Sequence, residues 1–169
     1  FPEDRNHQGL FLRHYIKTNL TFQVQPEFIS KCRVDTKREE EIVDEYKNKL
    51  SINMASLNQT TGELSGGNQQ KIVISKWLAA QPSILILDEP TRGIDVGAKA
   101  EIYQLMNDLV KEGVSIIMIS SELPEVINNS NRIAVMNEGR LVKILDACEE
   151  EITQEKIMSY AVGGIHKCQ

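Results

Sequence analysis

The chain reads as an α/β domain with a mainly parallel sheet and a small helical subdomain, and three observations predict it. Ile84-Leu85-Ile86-Leu87 is a continuous apolar run bounded by Pro82 and Asp88, the mark of a strand covered on both faces. A second run, 114–119, apolar except for Ser115, follows a helical pattern over 98–111 that stops at Gly113. Strands alternating with helices in this way imply parallel pairing. Upstream, the charged stretch 35–50 carries Ile42, Val43, Tyr46 and Leu50 as its apolar side, which predicts an amphipathic helix.

Taken in order, residues 1–10 form a polar loop broken by Pro2 and Gly9, and 10–28 is loosely helical up to Pro26. The acidic run Glu39-Glu40-Glu41 is expected on a solvated helix face. After a polar spacer at 58–63, Leu64-Ser65-Gly66-Gly67-Asn68-Gln69-Gln70-Lys71 leads into the apolar helix 70–80, where Trp77 is expected in the core. Residues 123–128 give a short helix. Segments 132–136 and 141–145 form a strand pair around Asn137-Glu138-Gly139-Arg140, and 153–162 is a closing helix with Thr153 as its cap.

With 169 residues the chain has material for one sizeable core. Its net charge of −5 argues against a nucleic-acid partner held by a basic surface. No apolar run approaches the ~18 residues of a membrane span, so a membrane role needs partners that do the spanning. Cys32, Cys148 and Cys168 are widely separated and lack metal-ligand spacing, which fits reduced thiols. His7, His14 and His166 form no cluster. The start at Phe1 inside a polar turn, without a secretory leader, is that expected of a cut piece.

Two places carry chemistry. Ser65 is a good N-cap, and Gly66 and Gly67 beside it lack the Cβ atoms that would hold a ligand away from the first-turn N–H groups. Such a helix start suits a phosphate, although an ordinary capped helix after a Gly turn fits those residues too. The second place is the strand end Asp88-Glu89-Pro90-Thr91, and chemistry in parallel sheets gathers at such ends. If the strand persists, the two carboxylates point in opposite directions. One can hold Mg²⁺ and the other can act as a general base on water. An isolated Asp-Glu-Pro would read as a capped turn; after four apolar strand residues and a Ser-Gly-Gly helix it does not.

These residues resemble a known family. Leu64–Lys71 is similar to the signature motif of ATP-binding cassette ATPases, Ile84–Glu89 to their Walker B strand, and Gly93-Ile94-Asp95 to their D-loop. The longer text from Asp88 to Lys99, with Asn68 and Ser-Ser-Glu-Leu-Pro-Glu at 120–125, resembles the second cassette of ribose- and galactose-type sugar importers. The resemblance covers nearly all of residues 1–165. It implies a partial P-loop NTPase core, with residues 1–63 a Q-loop-like segment and helical subdomain. Residues 64–165 would be the signature helix, Walker B, D-loop and the rest of the core, and 166–169 a tail. It also implies two cassettes facing head to tail with ATP between them. Ser65, Gly66, Gly67, Asn68 and Gln69 would then contact ATP held by the facing cassette. Asp88 would serve Mg²⁺, Glu89 would be the general base, and Asp95 would lie at the interface. The implied partners are a facing cassette, transmembrane permease subunits and, indirectly, a sugar-binding protein, with the chain peripheral on the cytoplasmic membrane face.

The sequence departs from the family pattern in three ways. No Gly-x-x-x-x-Gly-Lys-Ser/Thr phosphate loop occurs in the 169 residues, so the chain alone is expected to bind ATP poorly and hydrolyse hardly any. Ser121 stands where many members have a His beside the γ-phosphate; a serine carries no positive charge. Loss of such a donor typically costs ~10²–10³ in rate, so a slow site of its own is expected. Near the start, Glu3 is expected to stand in for the glutamine of the family's Q-loop, although Pro2-Glu3-Asp4-Arg5 also fits a plain surface turn. Arg92 could reach a phosphate or a partner, though a surface ion pair is the more common fate. Two other readings compete: an ATPase of DNA repair or translation, and a catalytically silent interaction domain.

Overall fold

The computed structural model describes residues 9–30 and 33–163. Glu3, with the segment 2–5, His7, Cys32, His166, Cys168 and the 166–169 tail, lies outside the described residues. The chain divides into two compact units, Phe1–Ile119 and Ser120–Gln169. Residues 63 and 64 both lie in the first unit.

In the first unit α1 (Ile16–Thr21), a 3-10 turn (Phe22–Val24) and α2 (Gln25–Phe28) lead into the short antiparallel pair β1 (Ile29–Ser30) and β2 (Arg33–Val34). Helix α3 (Thr36–Lys49) begins where the Asp35 carboxylate accepts the Arg38 N–H. Helix α4 (Gly66–Leu78) follows, then β3 (Ile84–Asp88), α5 (Val96–Lys111) and β4 (Ser115–Ile119). One core gathers Ile16 and Leu20 of α1, Ile42 and Val43 of α3, Ile72 and Ile74 of α4, Leu87 of β3 and Ile102 of α5. Helix α4 packs into this core against the helical region before it. Tyr46 Oη donates to the Leu78 carbonyl at 2.9 Å, tying α3 to the end of α4. Asn19 is fully buried: Oδ1 accepts from Phe11 N–H at 2.8 Å and Nδ2 donates to Thr61 Oγ1 at 2.9 Å. Together the two bonds tie the loop before α1, through Asn19 of α1, to the segment leading into α4.

The expected parallel strands form one pair among the described residues. β3 and β4 run parallel with Ile84 opposite Ser115 and Asp88 opposite Ile119. The other two ladders are antiparallel. Cover on both faces was expected, and the structure covers one. Leu85 and Leu87 are buried in the core shared with α5, whereas Ile84, Ile86, Ile117 and Ile119 are half or more exposed. The acidic run differs as well. Glu40 and Glu41 are exposed, but Glu39 is buried, where it accepts from Thr21 Oγ1 and faces Lys17 Nζ at 3.9 Å. A helix turns each successive residue by about 100°, so one member of a three-residue run can face inward.

Trp77 packs against the core from a half-buried position. Its neighbour Lys76 is buried, donates to the Gly9 carbonyl at 3.2 Å, and lies 5.0, 5.4 and 5.9 Å from the rings of Phe22, Phe11 and Trp77. Cation–π attraction offsets part of the lost hydration. Burial still pushes the Lys76 ammonium below the ordinary lysine value. The unfolded chain then binds more protons between the lowered value and about 10.4, so stability rises with pH across that window. Relative to Lys76→Met, the natural protein is expected to gain stability as pH climbs through it. Denaturant melts from neutral to alkaline pH check this, and a pH-independent difference contradicts it.

The second unit holds α6 (Leu123–Asn129), β5 (Arg132–Asn137), β6 (Arg140–Asp146) and α7 (Gln154–Ala161). Strands β5 and β6 make the expected hairpin, closed by Glu138 and Gly139, both with positive φ of 47° and 77°. Two such residues in succession form the tight turn that matches strand twist. Thr153 caps α7, and Ile133, Val135, Leu145 and Ile157 form the unit's own core.

Candidate functional site

The Ser65 backbone is extended (φ −60°, ψ 155°) and its Oγ accepts the Asn68 N–H at 3.4 Å, as expected of an N-cap. The first-turn N–H groups at Gly66 and Gly67 are ones that a helix cannot pair internally. The two glycines do not share one purpose, however. A Cβ on Gly67 would lie 2.7 Å from the Ala98 Cβ of α5. Its missing side chain therefore leaves room for the close approach of α4 and α5, a packing reason beside the expected one of ligand access. Gln69 is likewise turned inward: its N–H donates to the Ser65 carbonyl at 2.9 Å and its Nε2 to the Thr61 carbonyl at 3.3 Å. Asn68 Oδ1 accepts from Asn53 N–H at 2.8 Å, and its Nδ2 donates to Ser65 Oγ at 3.0 Å.

Two residues of α4 matter more than their sequence suggests. Gln70 is almost fully buried and its Nε2 donates to the Pro90 carbonyl, linking α4 to the turn that follows Glu89. Lys71 is buried, paired with Glu101 Oε2 at 2.8 Å, and donates to the Ser51 carbonyl at 3.1 Å. The only signal available beforehand is two polar side chains opening an otherwise apolar helix, and that pattern also fits a solvated helix end.

At the strand end, Asp88 is half-buried and is the last residue of β3. Strand alternation does not aim Glu89, because the strand stops there. Glu89 has φ of 48° and its N–H donates to the Ile119 carbonyl at 2.8 Å. A non-glycine residue held in the left-handed region stores about 1–3 kcal/mol, and such strain clusters at functional positions. Arg92 N–H donates to the Glu89 carbonyl at 3.2 Å, Thr91 is buried and Gly93 has φ of 69°. The segment is thus a built turn, and no helix starts at Pro90. Arg92 and Asp95 are exposed. Asp95 Oδ1 accepts the Ala98 N–H at 2.9 Å, which caps α5 and starts it two residues before the expected Ala98.

Ser121 belongs to the second unit and is exposed, in the bend before α6. Its neighbour Ser120 bonds Glu125 Oε2 and accepts the Glu122 N–H at 3.0 Å. Among the described residues no group of three or more His, Cys, Asp or Glu side chains could hold a metal ion by itself.

Residues 5–92 match the ABC transporter family. The ribose import ATP-binding protein RbsA of Shouchella clausii is 49% identical to this chain over 163 residues, and that of Bacillus subtilis 51% over 162. Each match takes in 96% of this chain and 32% of the relative, so the chain spans about a third of the length of these curated proteins. Among solved structures, cbiO1 from Clostridium perfringens, part of the ABC transporter complex cbiONQ, superposes with a TM-score of 0.67 at 25% identity. That match covers 85% of this chain and 55% of the other. The dimeric ATP-binding cassette MJ0796 bound to ADP and Pi also gives 0.67, at 21% identity, covering 82% and 60%; this is a likeness of fold. By the family match over half its residues, the chain belongs to the ABC transporter family.

Proposed function

We propose that the chain is the part of an ATPase cassette running from the helical subdomain to the end of the core, and that it energises import of a simple sugar. The observation that carries this reading is the 49–51% identity to ribose import ATP-binding proteins along 96% of the chain. Ser65, Gly66 and Gly67 would present a hydroxyl and two N–H groups to the γ-phosphate of ATP on a facing cassette. Glu89 would be the general base for water at this cassette's own site, with Ser121 as the weak donor there. Asp95 would contribute to the cassette interface besides capping α5, and Glu3 would take the Q-loop place. Mg²⁺ is commonly held by one or two carboxylates together with nucleotide phosphates. Asp88, a single half-buried carboxylate at a strand end, fits that donor set and would be its protein ligand. The ion would neutralise phosphate charge. The helical region of residues 10–50 would dock on permease subunits at the cytoplasmic membrane face, with a sugar-binding protein acting through them.

The test is ATP hydrolysis by the full-length protein carrying this chain, reconstituted with its permease subunits in vesicles. Hydrolysis coupled to uptake of a simple sugar is expected. Hydrolysis stimulated by DNA or ribosomes, with no uptake, would overturn the importer reading.

A further inference from the structure

A serine hydroxyl has one proton to give and two lone pairs that accept. At Ser65 two donors converge on the oxygen: Asn68 N–H at 3.4 Å and Asn68 Nδ2 at 3.0 Å. The orientation of that amide is fixed from the other side. Asn53 N–H reaches the Asn68 side chain at 2.8 Å, and a backbone N–H can only donate. The oxygen of Asn68 must face Asn53, so the nitrogen must face Ser65. With both acceptor positions filled, the Ser65 proton is directed away from the protein, on an exposed residue.

We infer that Asn68 is a positioning residue that makes Ser65 an obligate hydrogen-bond donor toward a ligand at the start of α4, through the relay Asn53–Asn68–Ser65. This rests on the proposed contact between Ser65 and a nucleotide γ-phosphate. It also changes the expected role of Asn68, whose oxygen and one amide hydrogen are committed within the protein. The relay has a firm base. Ser51, two residues before Asn53, has φ of 48°, and its carbonyl is held by buried Lys71, itself paired with Glu101. A donor oriented in advance loses no reorganisation energy when the phosphate gathers charge, which is how such groups act in transition states.

The experiment is a double-mutant cycle on steady-state ATP turnover in the full-length protein, with melting temperatures recorded alongside. Asn68→Asp keeps an oxygen for Asn53 N–H but presents only an acceptor to Ser65, so the hydroxyl turns inward. Turnover is expected to fall about tenfold or more. In a Ser65→Ala background the same substitution is expected to cost almost nothing further, because no hydroxyl is left to orient. Asn68→Ala, which adds no charge, should show the same loss of effect on that background. If Ser65→Ala lowers turnover but either Asn68 change multiplies that loss in full, or has no effect of its own, the positioning role is wrong while the Ser65 contact stands. If Ser65→Ala leaves turnover unchanged, the contact itself falls and the inference with it.

Discussion

In the full-length protein, Ser65→Ala is expected to lower steady-state ATP turnover by about 10²-fold, whereas Glu89→Gln leaves most of it. The asymmetry follows from where each residue would act. Ser65 would complete the facing cassette's site, and its capped, exposed hydroxyl is in the geometry of a phosphate donor. Glu89 would serve this cassette's own site, where Ser121 would stand in place of the charged donor that the family resemblance implies. A site already short of about 10²–10³ in rate contributes little to total turnover, so its general base can be removed at small cost. Glutamine matches glutamate in size and can adopt the same left-handed backbone, so the turn held by the Ile119 and Arg92 bonds is kept. Steady-state hydrolysis by the two variants, assayed side by side, decides the matter. Near-total loss in Glu89→Gln would make this cassette's own site the working one.

The secondary structure was largely legible because its signals are local. Helix α3 starts at its Asp35 cap, α4 at Ser65 and α7 at Thr153, and each cap is a side chain answering N–H groups a few residues away. The hairpin of the second unit declares itself through Gly139, which must take positive φ to close a two-residue turn. What the sequence could not disclose depends on distant partners. The isoleucines on one face of β3 and the leucines on the other look equally buried in the sequence, yet only Leu85 and Leu87 meet α5's core. Gln70 reads as a solvated helix end until Pro90 is found against it, and the cap that Asp95 gives α5 shows only once the Ala98 N–H is seen on it. For the candidate site, the motif marks which residues matter. It does not mark which side chains are taken up within the protein: Gln69 Nε2 donates to the Thr61 carbonyl, and the Cβ position of Gly67 lies against Ala98.

Gly67 gives the sharpest test of that distinction. Gly67→Ala is expected to destabilise the protein by about 1–2 kcal/mol, although alanine in a helix ordinarily gains up to ~1 kcal/mol over glycine. The reason is the Ala98 Cβ, which a new methyl would approach to 2.7 Å where α4 crosses α5. Overpacking of this kind typically costs ~1–3 kcal/mol, because neither backbone can retreat without disturbing its own core contacts. Ala98→Gly should restore the space. By itself it costs up to ~1 kcal/mol through helix propensity, and it keeps the N–H that Asp95 caps. The double variant is therefore expected to melt close to the natural protein, with a coupling of about 1–3 kcal/mol between the positions. Turnover separates packing from ligand access. A methyl directed at α5 leaves the Gly67 N–H where it was, so the double variant should hydrolyse ATP within a few-fold of the natural protein. A double variant that folds stably but has lost turnover would mean that position 67 is glycine for the phosphate's sake after all.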